Sequence, residues 1–400
     1  MRIFFIGFGQ AGGKLVDMFI AQNKKYGSSN FRGIIINSAK TDLLGVKNIP
    51  LEDRLLIGQT IVKGHGVGTD NFKGAQIAAD EIDTIINAID HKGVHDIDAF
   101  VVCAGLGGGT GSGGAPVLCR HLKRIYREPV YALGILPSRE EGRLYSLNAA
   151  RSLTTLVNEA DNVFVFDNST WKNDGDSVKS AYEHLNEEIV RRFGVLFRAG
   201  EANKNGVGEM VVDASEIINT LRDKGISSVG YAVSEAITPS VTYEGGPNKI
   251  EKCMKKIANI FSTKPAEQPR VDITSSDDKS AKIIGLVRRA MLGRLTLPCN
   301  YATAERALVL VAGPASELDR KGVEKSKIWV EENIAGIEVR GGDYPVSSDY
   351  VAAVVLLATI TDAPRIRELM QLADDAKKQI DSSPQRITTD MFDPVDPLFK

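Results

Sequence analysis

The sequence predicts an α/β protein with three parts: a Rossmann-like nucleotide-binding domain on a parallel sheet, a long central helix, and a second, smaller α/β domain. Three observations carry this expectation. Short β-rich apolar runs alternate with helix-period runs through the first 200 residues, the pattern of a parallel sheet with helices on both faces. A glycine-dense segment, GLGGGTGSGGAPV (Gly105 to Val117), joins an apolar run to a helix-like run in the order strand, glycine turn, helix. A long helical pattern from about Ser177 to Ala199 precedes a further set of strand-like and helix-like runs.

Composition sets the outer bounds. A chain of 400 residues with 43% hydrophobic residues suggests two or three domains with sizeable cores. Lys plus Arg is 49 against 51 for Asp plus Glu, so no charge imbalance points to nucleic acid or an anionic membrane as partner. The longest apolar stretch, Val351 to Ile360, is far short of the roughly 20 residues of a membrane-spanning helix and reads as a buried strand, so no direct membrane insertion is expected. MRIFFIGFG runs straight into a strand and glycine turn without the parts of a secretory signal, and a cytoplasmic location is expected. The cysteines (Cys103, Cys119, Cys253, Cys299) are widely spaced with no CxxC pair, which argues against zinc or a disulfide framework.

Taken in chain order, the first strand (Arg2 to Ile6) leads into GFGQAGGK, which fits GxGxxG through Gly7, Gly9 and Gly12. The same pattern opens dinucleotide-binding domains, so an NAD(P)-dependent enzyme is an alternative reading. The second strand (Gly33 to Asn37) ends in Asn37-Ser38 without a carboxylate for an NAD ribose, while Lys40 leaves an NADP version open. Leu15 after Gly13-Lys14 departs from a Walker loop. After a third strand (Arg54 to Ile57), the loop from Val62 to Gly74 is either phosphate-proximal or an ordinary mobile loop. Ala78, Ile82, Ile85, Ile86 and Ile89 then form the stripe of a core-facing helix.

The fourth strand (Asp98 to Ala104) enters the glycine loop, where Gly107, Gly108, Gly109, Gly111, Gly113 and Gly114 precede a helical run. Glycines permit positive φ and close backbone approach, so consecutive N–H groups can point at phosphate oxygens while the helix N-terminus adds partial positive charge. Thr110 and Ser112 can add hydroxyl donors. The fifth and sixth strands are Val130 to Leu136 and Asn162 to Asp167, and all six are expected in one sheet. In the long helix, with Asp174 or Asp176 as cap, Tyr182 and Asn186 at i and i+4 share a face. The ring can stack on a purine and the amide can read the guanine edge. Asp213 and Glu216 stand at a further helix start, where carboxylates also suit the dipole.

The second domain is expected from about Ser227 to Thr361. Its strands are read at SVGYAVSEA, RALVLVAGP and DYVAAVVLLATI, and its helices near Lys249 to Phe261, Ser280 to Met291 and Leu318 to Asn333. Residues 262–279 read as a mobile loop. A last helix (Ala363 to Ile380) precedes a tail without apolar period, read as disordered, with Met391, Phe392, Leu398 and Phe399 as a possible docking peptide for protein partners. The expected boundaries are 1–176, 177–226, 227–362 and 363–400.

GGGTGSG resembles the signature of the tubulin and FtsZ superfamily of GTP-dependent filament proteins, and over residues 1 to about 365 the chain looks most like the archaeal CetZ group. The resemblance implies a GTPase that binds GTP or GDP with Mg²⁺ and associates with itself head to tail into protofilaments. Gly9, Gln10, Ala11, Gly12, Gly13 and Lys14 match the first phosphate loop, with Gln10 by the β-phosphate or Mg²⁺ and Lys14 near the sugar or base. Gly107, Gly108, Gly109, Thr110 and Gly111 match the second. Pro137, Glu141 and Gly142 match the segment whose glutamate accepts from ribose hydroxyls, with Arg139 and Arg143 as phosphate or ribose contacts. Asn168 matches the asparagine that contacts the nucleoside. Asp213 and Glu216 match the acidic pair that completes the neighbour's catalytic site. Val211 and Ala39 depart from the pattern, standing where relatives carry asparagine and aspartate. A role in cell shape is implied, with an FtsZ-type role in division as the alternative.

Overall fold

Six parallel strands form as the apolar runs require, each after the first preceded by helical segments. The computed structural model describes residues 1–171, 178–199, 212–236 and 276–382. The first half comprises β1 (Ile3–Phe8), α1 (Gly9–Lys25), β2 (Phe31–Asn37), α2 (Lys40–Leu44), β3 (Arg54–Leu56), α3 (Gln59–Val62), α4 (Asn71–Asp80), α5 (Ile82–Asp90), β4 (Ala99–Gly105), α6 (Thr110–Ile125), β5 (Val130–Leu136), α7 (Arg143–Glu159), β6 (Asn162–Asp167) and α8 (Asn168–Trp171). The stripe from Ala78 to Ile89 is divided between α4 and α5 rather than forming one helix, because the backbone breaks at Glu81 (φ −107°, ψ 19°). The Glu81 carboxylate accepts from the Gly58 N–H at 2.7 Å.

The second half continues with α9 (Val178–Arg198), α10 (Ala214–Thr220), β7 (Ile226–Glu235), α11 (Ser276–Leu292), β8 (Arg306–Gly313), α12 (Arg320–Glu331), β9 (Glu338–Pro345), β10 (Tyr350–Ile360) and α13 (Pro364–Ser382). The helix expected at Lys249 to Phe261, the cap at Asp174 or Asp176, most of the loop 262–279 and the tail from residue 383 lie outside the described residues. β9 was not expected. Its sequence, EVRGGDYP, carries two glycines, a proline and no apolar alternation, yet it pairs in parallel with β8 from Arg306↔Glu338 to Gly313↔Pro345.

The ten described strands form one sheet in the order β3-β2-β1-β4-β5-β6-β7-β10-β8-β9. The six expected strands are therefore part of a larger sheet. β7 joins β6 through only two parallel pairs, Val163↔Ile226 and Phe164↔Ser227, and β10 is antiparallel to both β7 and β8. From β1 the chain runs outward to β2 and β3, then returns to the other side of β1 as β4 and continues to β5 and β6. The strand order thus reverses between β1 and β4, the switch point at which open α/β sheets leave a crevice beyond their carboxyl ends.

One face of the sheet is covered by α1 and α9, with Phe5, Phe19, Phe164, Phe193 and Phe197 as its aromatic centre. The same cluster includes Val354 and Leu356 of β10, so α9 buries residues from both halves. α4 to α7 cover the other face together with Leu369, Ala373 and Ala376 of the terminal α13. α11 and α12 cover the second half.

The glycine loops decide how closely these elements meet. None of the six glycines from Gly107 to Gly114 has positive φ, contrary to the expectation that conformational freedom explains them. Gly109, Gly111 and Gly113 instead sit against other backbone, and Gly107 and Gly114 against the side chains of Pro137, Tyr145 and Phe8. A Cβ on Gly12 would lie 2.0 Å from the Cys103 carbonyl oxygen, and one on Gly113 would lie 2.1 Å from that of Asn71 in α4. Gly108 differs, because nothing lies within 4 Å of its Cβ position. Gly113→Ala is therefore expected to destabilise the fold by about 1–3 kcal/mol or more, as overpacking against backbone does. Gly108→Ala should leave stability within about 0.5 kcal/mol. Denaturant unfolding of the two variants without nucleotide checks the contrast, and equal loss in both would refute the packing account.

Candidate nucleotide site and acidic helix start

Both glycine loops leave the sheet at its switch point. Gly9 follows β1 in the left-handed region (φ +74°), starting α1, and a Cβ there would lie 2.8 Å from the Gly111 amide nitrogen at the start of α6. Gly105 packs against Ala11 in the same way, at 3.0 Å. The two helix N-termini are thereby brought together, and the first N–H groups of each helix, which have no intrahelical partner, gather around one crevice. This arrangement suits the phosphates of a nucleotide, since amide donors and two helix dipoles converge where negative charge would sit. Gly12 and Gly13 are buried one turn into α1, Gly12 letting α1 sit close to β4 and Gly13 facing Ile35 of β2, while Gln10 and Lys14 are exposed.

The hydroxyls of the second loop are already engaged. Thr110 Oγ1 lies 2.7 Å from Ser38 Oγ at the end of β2, and Ser112 Oγ donates back to the Gly108 carbonyl. Ser112 is thus a brace of its own loop, not the further donor to phosphate that the sequence suggests. Gln10 Nε2 donates to Asp42 Oδ1 at 3.1 Å, and Asn37 Nδ2 donates to Asp42 Oδ2 at 3.0 Å. Asp42 was missed by the sequence reading. It brings a carboxylate to the first loop although Ala39 stands where relatives carry an aspartate, and its signal was a lone acidic residue three positions later in SAKTDLL.

The loop from Val62 to Gly74 packs against this crevice. Lys40 N donates to the Gly64 carbonyl at 2.9 Å and Gly66 N to that of Ser38 at 3.2 Å. Val67 is buried, and a Cβ on Gly109 would meet its Cγ2 at 2.4 Å. Lys63 and Thr69 hold φ of 51° and 68°, conformations that cost non-glycine residues on the order of 1–3 kcal/mol each and persist where the surroundings hold them. Asn148 supplies part of that hold. Buried in α7, its Nδ2 donates to the Thr69 carbonyl at 2.7 Å and the Gly107 carbonyl at 3.1 Å, tying the two loops together. A lone amide inside the apolar helical run LYSLNAAR was the available sign.

The nucleoside side is built at the ends of β5 and β6. Ser138 and Glu141 form a reciprocal capping box, with Ser138 N donating to Glu141 Oε1 at 2.7 Å. Tyr182 Oη donates to the same oxygen at 3.4 Å, so the structure joins the expected ribose acceptor to the expected stacking ring. Burial, with the Glu141 carboxylate beside it, pushes the Tyr182 phenol up, so it stays a neutral donor. Asn186 is half-buried one turn further along α9. Asn168 is buried at the start of α8, directly after Asp167.

Arg139 and Arg143 turn away from this side. The Arg139 guanidinium is bidentate on Glu368 of α13, with Nε to Oε1 at 2.7 Å and Nη2 to Oε2 at 2.7 Å, and Arg143 Nη1 donates to Gln379. In this structure both guanidiniums are engaged by the terminal helix. Arg365, fully buried, completes the junction by donating from Nε to Asp167 Oδ1 at 3.2 Å and from Nη2 to the Pro137 carbonyl at 3.0 Å. Removing either buried partner would strand a charge at a cost of about 3–5 kcal/mol. α13 therefore fixes the strand ends that carry Glu141 and Asn168.

The acidic pair lies elsewhere. Asp213 caps α10, accepting from the Ser215 hydroxyl at 2.6 Å and the Glu216 N–H at 3.0 Å, and these bonds hold its carboxyl below its ordinary value. Its Oδ1 is thus committed to the helix start. The Glu216 carboxylate is half-exposed and accepts from Arg340 Nη1 of β9 at 3.2 Å. α9 begins near Glu141 at the carboxyl ends of the strands and ends with Phe197 beside Phe5 and Phe164 toward their amino ends. At 21 residues it is about 31 Å long. Asp223, just after α10, keeps to that far end, where its carbonyl accepts from Asn162 at the start of β6.

Cys103, Cys119 and Cys299 are free thiols, and among the described residues no group of three or more His, Cys, Asp or Glu side chains could hold a metal ion. No helix among them is long and apolar enough to cross a membrane, and Val351 to Ile360 lies in β10.

Comparison with known proteins places this architecture. Residues 2–176 match the model of the tubulin/FtsZ family GTPase domain, and residues 175–375 match that of the C-terminal domain of tubulin-like CetZ. The tubulin-like protein CetZ1 of Haloferax volcanii is 52% identical over 384 residues, covering 95% of this chain and 94% of the relative. A solved GDP-bound monomer of CetZ1 from that organism aligns with a TM-score of 0.80 at 49% identity, over 94% of this chain and all of the other. A solved GTPγS-bound protofilament of its CetZ2 aligns with a TM-score of 0.80 at 37% identity, over 96% of this chain and all of the other. Matches that run through both halves set aside the NAD(P)-dependent alternative left by the first glycine turn. The chain belongs to the tubulin/FtsZ family, in its CetZ branch of tubulin-like proteins.

Proposed function

We propose that this protein is a GTPase that assembles head to tail into filaments, with GTP held in the crevice of one subunit and hydrolysed with help from the acidic helix start of the next. The observation that carries this reading is the separation just described. The phosphate crevice lies at the carboxyl ends of the strands and Glu216 at the other end of a helix about 31 Å long, so Glu216 reaches a nucleotide only on another copy. Such a contact joins two different surfaces and does not close, which generates a filament. The GDP-bound and GTPγS-bound relatives support both nucleotide and assembly.

Amides of Gly9 to Gly12 and of Gly107 to Gly111 would bind the phosphates, with Tyr182, Asn186 and Asn168 around the base and Glu141 at the ribose. Mg²⁺ bound with GTP supplies neutralisation of phosphate charge. It prefers oxygen ligands and usually keeps waters and substrate phosphates, and the oxygens of Gln10 and Asp42 fit that chemistry at the first loop. Glu216 accepts a hydrogen bond from the attacking water and turns its lone pair toward the γ-phosphorus, while the bond from that phosphorus to the bridging oxygen breaks and the amides stabilise the charge left on the leaving phosphate. Asp213 holds the helix start that presents Glu216. The filament is proposed to act in the cytoplasm in control of cell shape, as the CetZ relationship implies, with residues 383–400 available to protein partners.

Two tests follow from these roles. Asn186→Asp should weaken GTP binding and favour xanthine nucleotides, because a carboxylate cannot donate to the guanine carbonyl. Unchanged base preference in competition binding would remove Asn186 from the base. Glu216→Ala should bind GTP normally and assemble, yet hydrolyse slowly. Mixing it with Gly108→Arg, whose side chain fills the open mouth of the crevice, gives filaments in which intact acidic helices meet intact pockets. Turnover should then exceed the sum of the two variants alone, whereas additive turnover in filaments shown by electron microscopy to be mixed would end the proposal of action in trans.

A further inference from the structure

We propose that Arg340, on β9 at the far edge of the sheet, is the positioning residue that keeps the Glu216 carboxylate aimed for action on the neighbouring subunit. This rests on the reading of Glu216 given above and adds a residue from a strand that the sequence did not announce.

The geometry is a clamp within a clamp. Arg340 Nε and Nη2 both donate to Glu338 Oε1, at 3.0 and 2.6 Å. The other Glu338 oxygen accepts from Arg306 Nε at 3.1 Å and Arg222 Nη2 at 2.8 Å. Arg306 is anchored in turn on Asp223. A guanidinium is planar, so fixing one edge on Glu338 fixes where the remaining donor points, and that donor, Nη1, meets Glu216 Oε2 at 3.2 Å. From the other side, the Asp213 carboxylate accepts the Glu216 N–H. Both ends of the residue are therefore set, the backbone by its own helix cap and the carboxylate by β9.

Among the described residues, Glu216 is met by Asp213 at its backbone N–H and by Arg340 at its carboxylate, while Arg222 and Arg306 hold the Glu338 that orients Arg340. Arg340 is the cation in direct contact with that carboxylate. The two side chains are 26% and 34% exposed, so the pair adds little to folding and its loss leaves a foldable chain. A single cation, among the described residues, on a half-exposed carboxylate is therefore better explained by orientation than by stability. Its free face leaves Glu216 open to a partner's water.

The test uses the full chain, assembled with GTP. Arg340→Gln should bind GTP as wild type and keep its KM, while kcat per subunit in filaments falls by about fivefold or more. Arg340→Lys should recover part of the rate, since it returns the charge but not the fork. In a Glu216→Ala background, Arg340→Gln should cost nothing more. Wild-type kcat in Arg340→Gln, beside a slow Glu216→Ala, would overturn the positioning role alone. A further loss in the double variant would also overturn it, by showing that Arg340 acts elsewhere. Wild-type turnover of Glu216→Ala itself would instead bring down the reading of Glu216 and this inference together. Should Arg340→Gln fail to fold, Glu338→Gln releases the clamp while keeping both partners, and there a reduced kcat supports the proposal and an unchanged one refutes it.

Discussion

The rest of the structure depends on the contact between the loops after β1 and β4. These strands lie side by side in register, Gly7 opposite Cys103 and Phe8 opposite Ala104; β1 turns at once into α1, and β4 passes through Leu106 to Gly109 into α6. Two helices can begin this close together only if their first turns carry no side chains at the contact, which is why a Cβ at Gly12 would strike the Cys103 carbonyl and one at Gly9 the Gly111 amide. The same packing that closes the sheet's switch point also concentrates unpaired N–H groups there. Stability and anion binding thus come from one arrangement, and the glycines serve the second by satisfying the first.

α9 turns that local fact into a property of the whole molecule. Its apolar side, Leu185, Ile189, Phe193 and Phe197, is buried in a core shared by β1, β6 and β10. Its buried charges also fix its rotation. Glu188 pairs with Arg191 and Arg192, and Arg192 lies between the Trp171 ring at 4.1 Å and the Tyr231 ring at 5.3 Å, one from each half. Burial pulls the Arg192 guanidinium down from its ordinary value while Glu188 opposes that pull, so the pair is worth keeping only if the helix stays where it is. A rigid rod of this kind holds the candidate nucleoside residues Tyr182 and Asn186 at one end and lies between them and the acidic helix start.

The nucleoside end is held a second time from outside the sheet. α13 follows β10, far from the crevice in sequence, yet Arg365 and Glu368 connect it to Asp167, Pro137 and Arg139. The Arg139 pair lowers the Glu368 carboxyl below its ordinary value. The loop 62–74, with its left-handed Lys63 and Thr69, is held between Ser38 and Asn148 on the phosphate side. Every wall of the candidate site is therefore braced by a segment remote in sequence.

The sequence by itself determined the local elements. β5 and β6 fall where their apolar runs place them, α9 spans nearly the residues its period indicates, and the two glycine turns open α1 and α6, because apolar period and glycine density act over a few residues. Pairing across the sheet was decided only by tertiary structure. β9 has no periodic signal and exists because β8 offers it hydrogen bonds along its length. Asp42, Asn148, Arg365 and Arg340 are polar residues with no distinctive local pattern, and they matter through partners 32, 79, 198 and 124 residues away. The glycines were read as marks of close approach, and what they approach is backbone and side chains of other segments, a fact that no single segment contains. A sequence records what each segment prefers, whereas charge pairs and backbone contacts between distant segments arise only when the sheet brings them within a few ångströms.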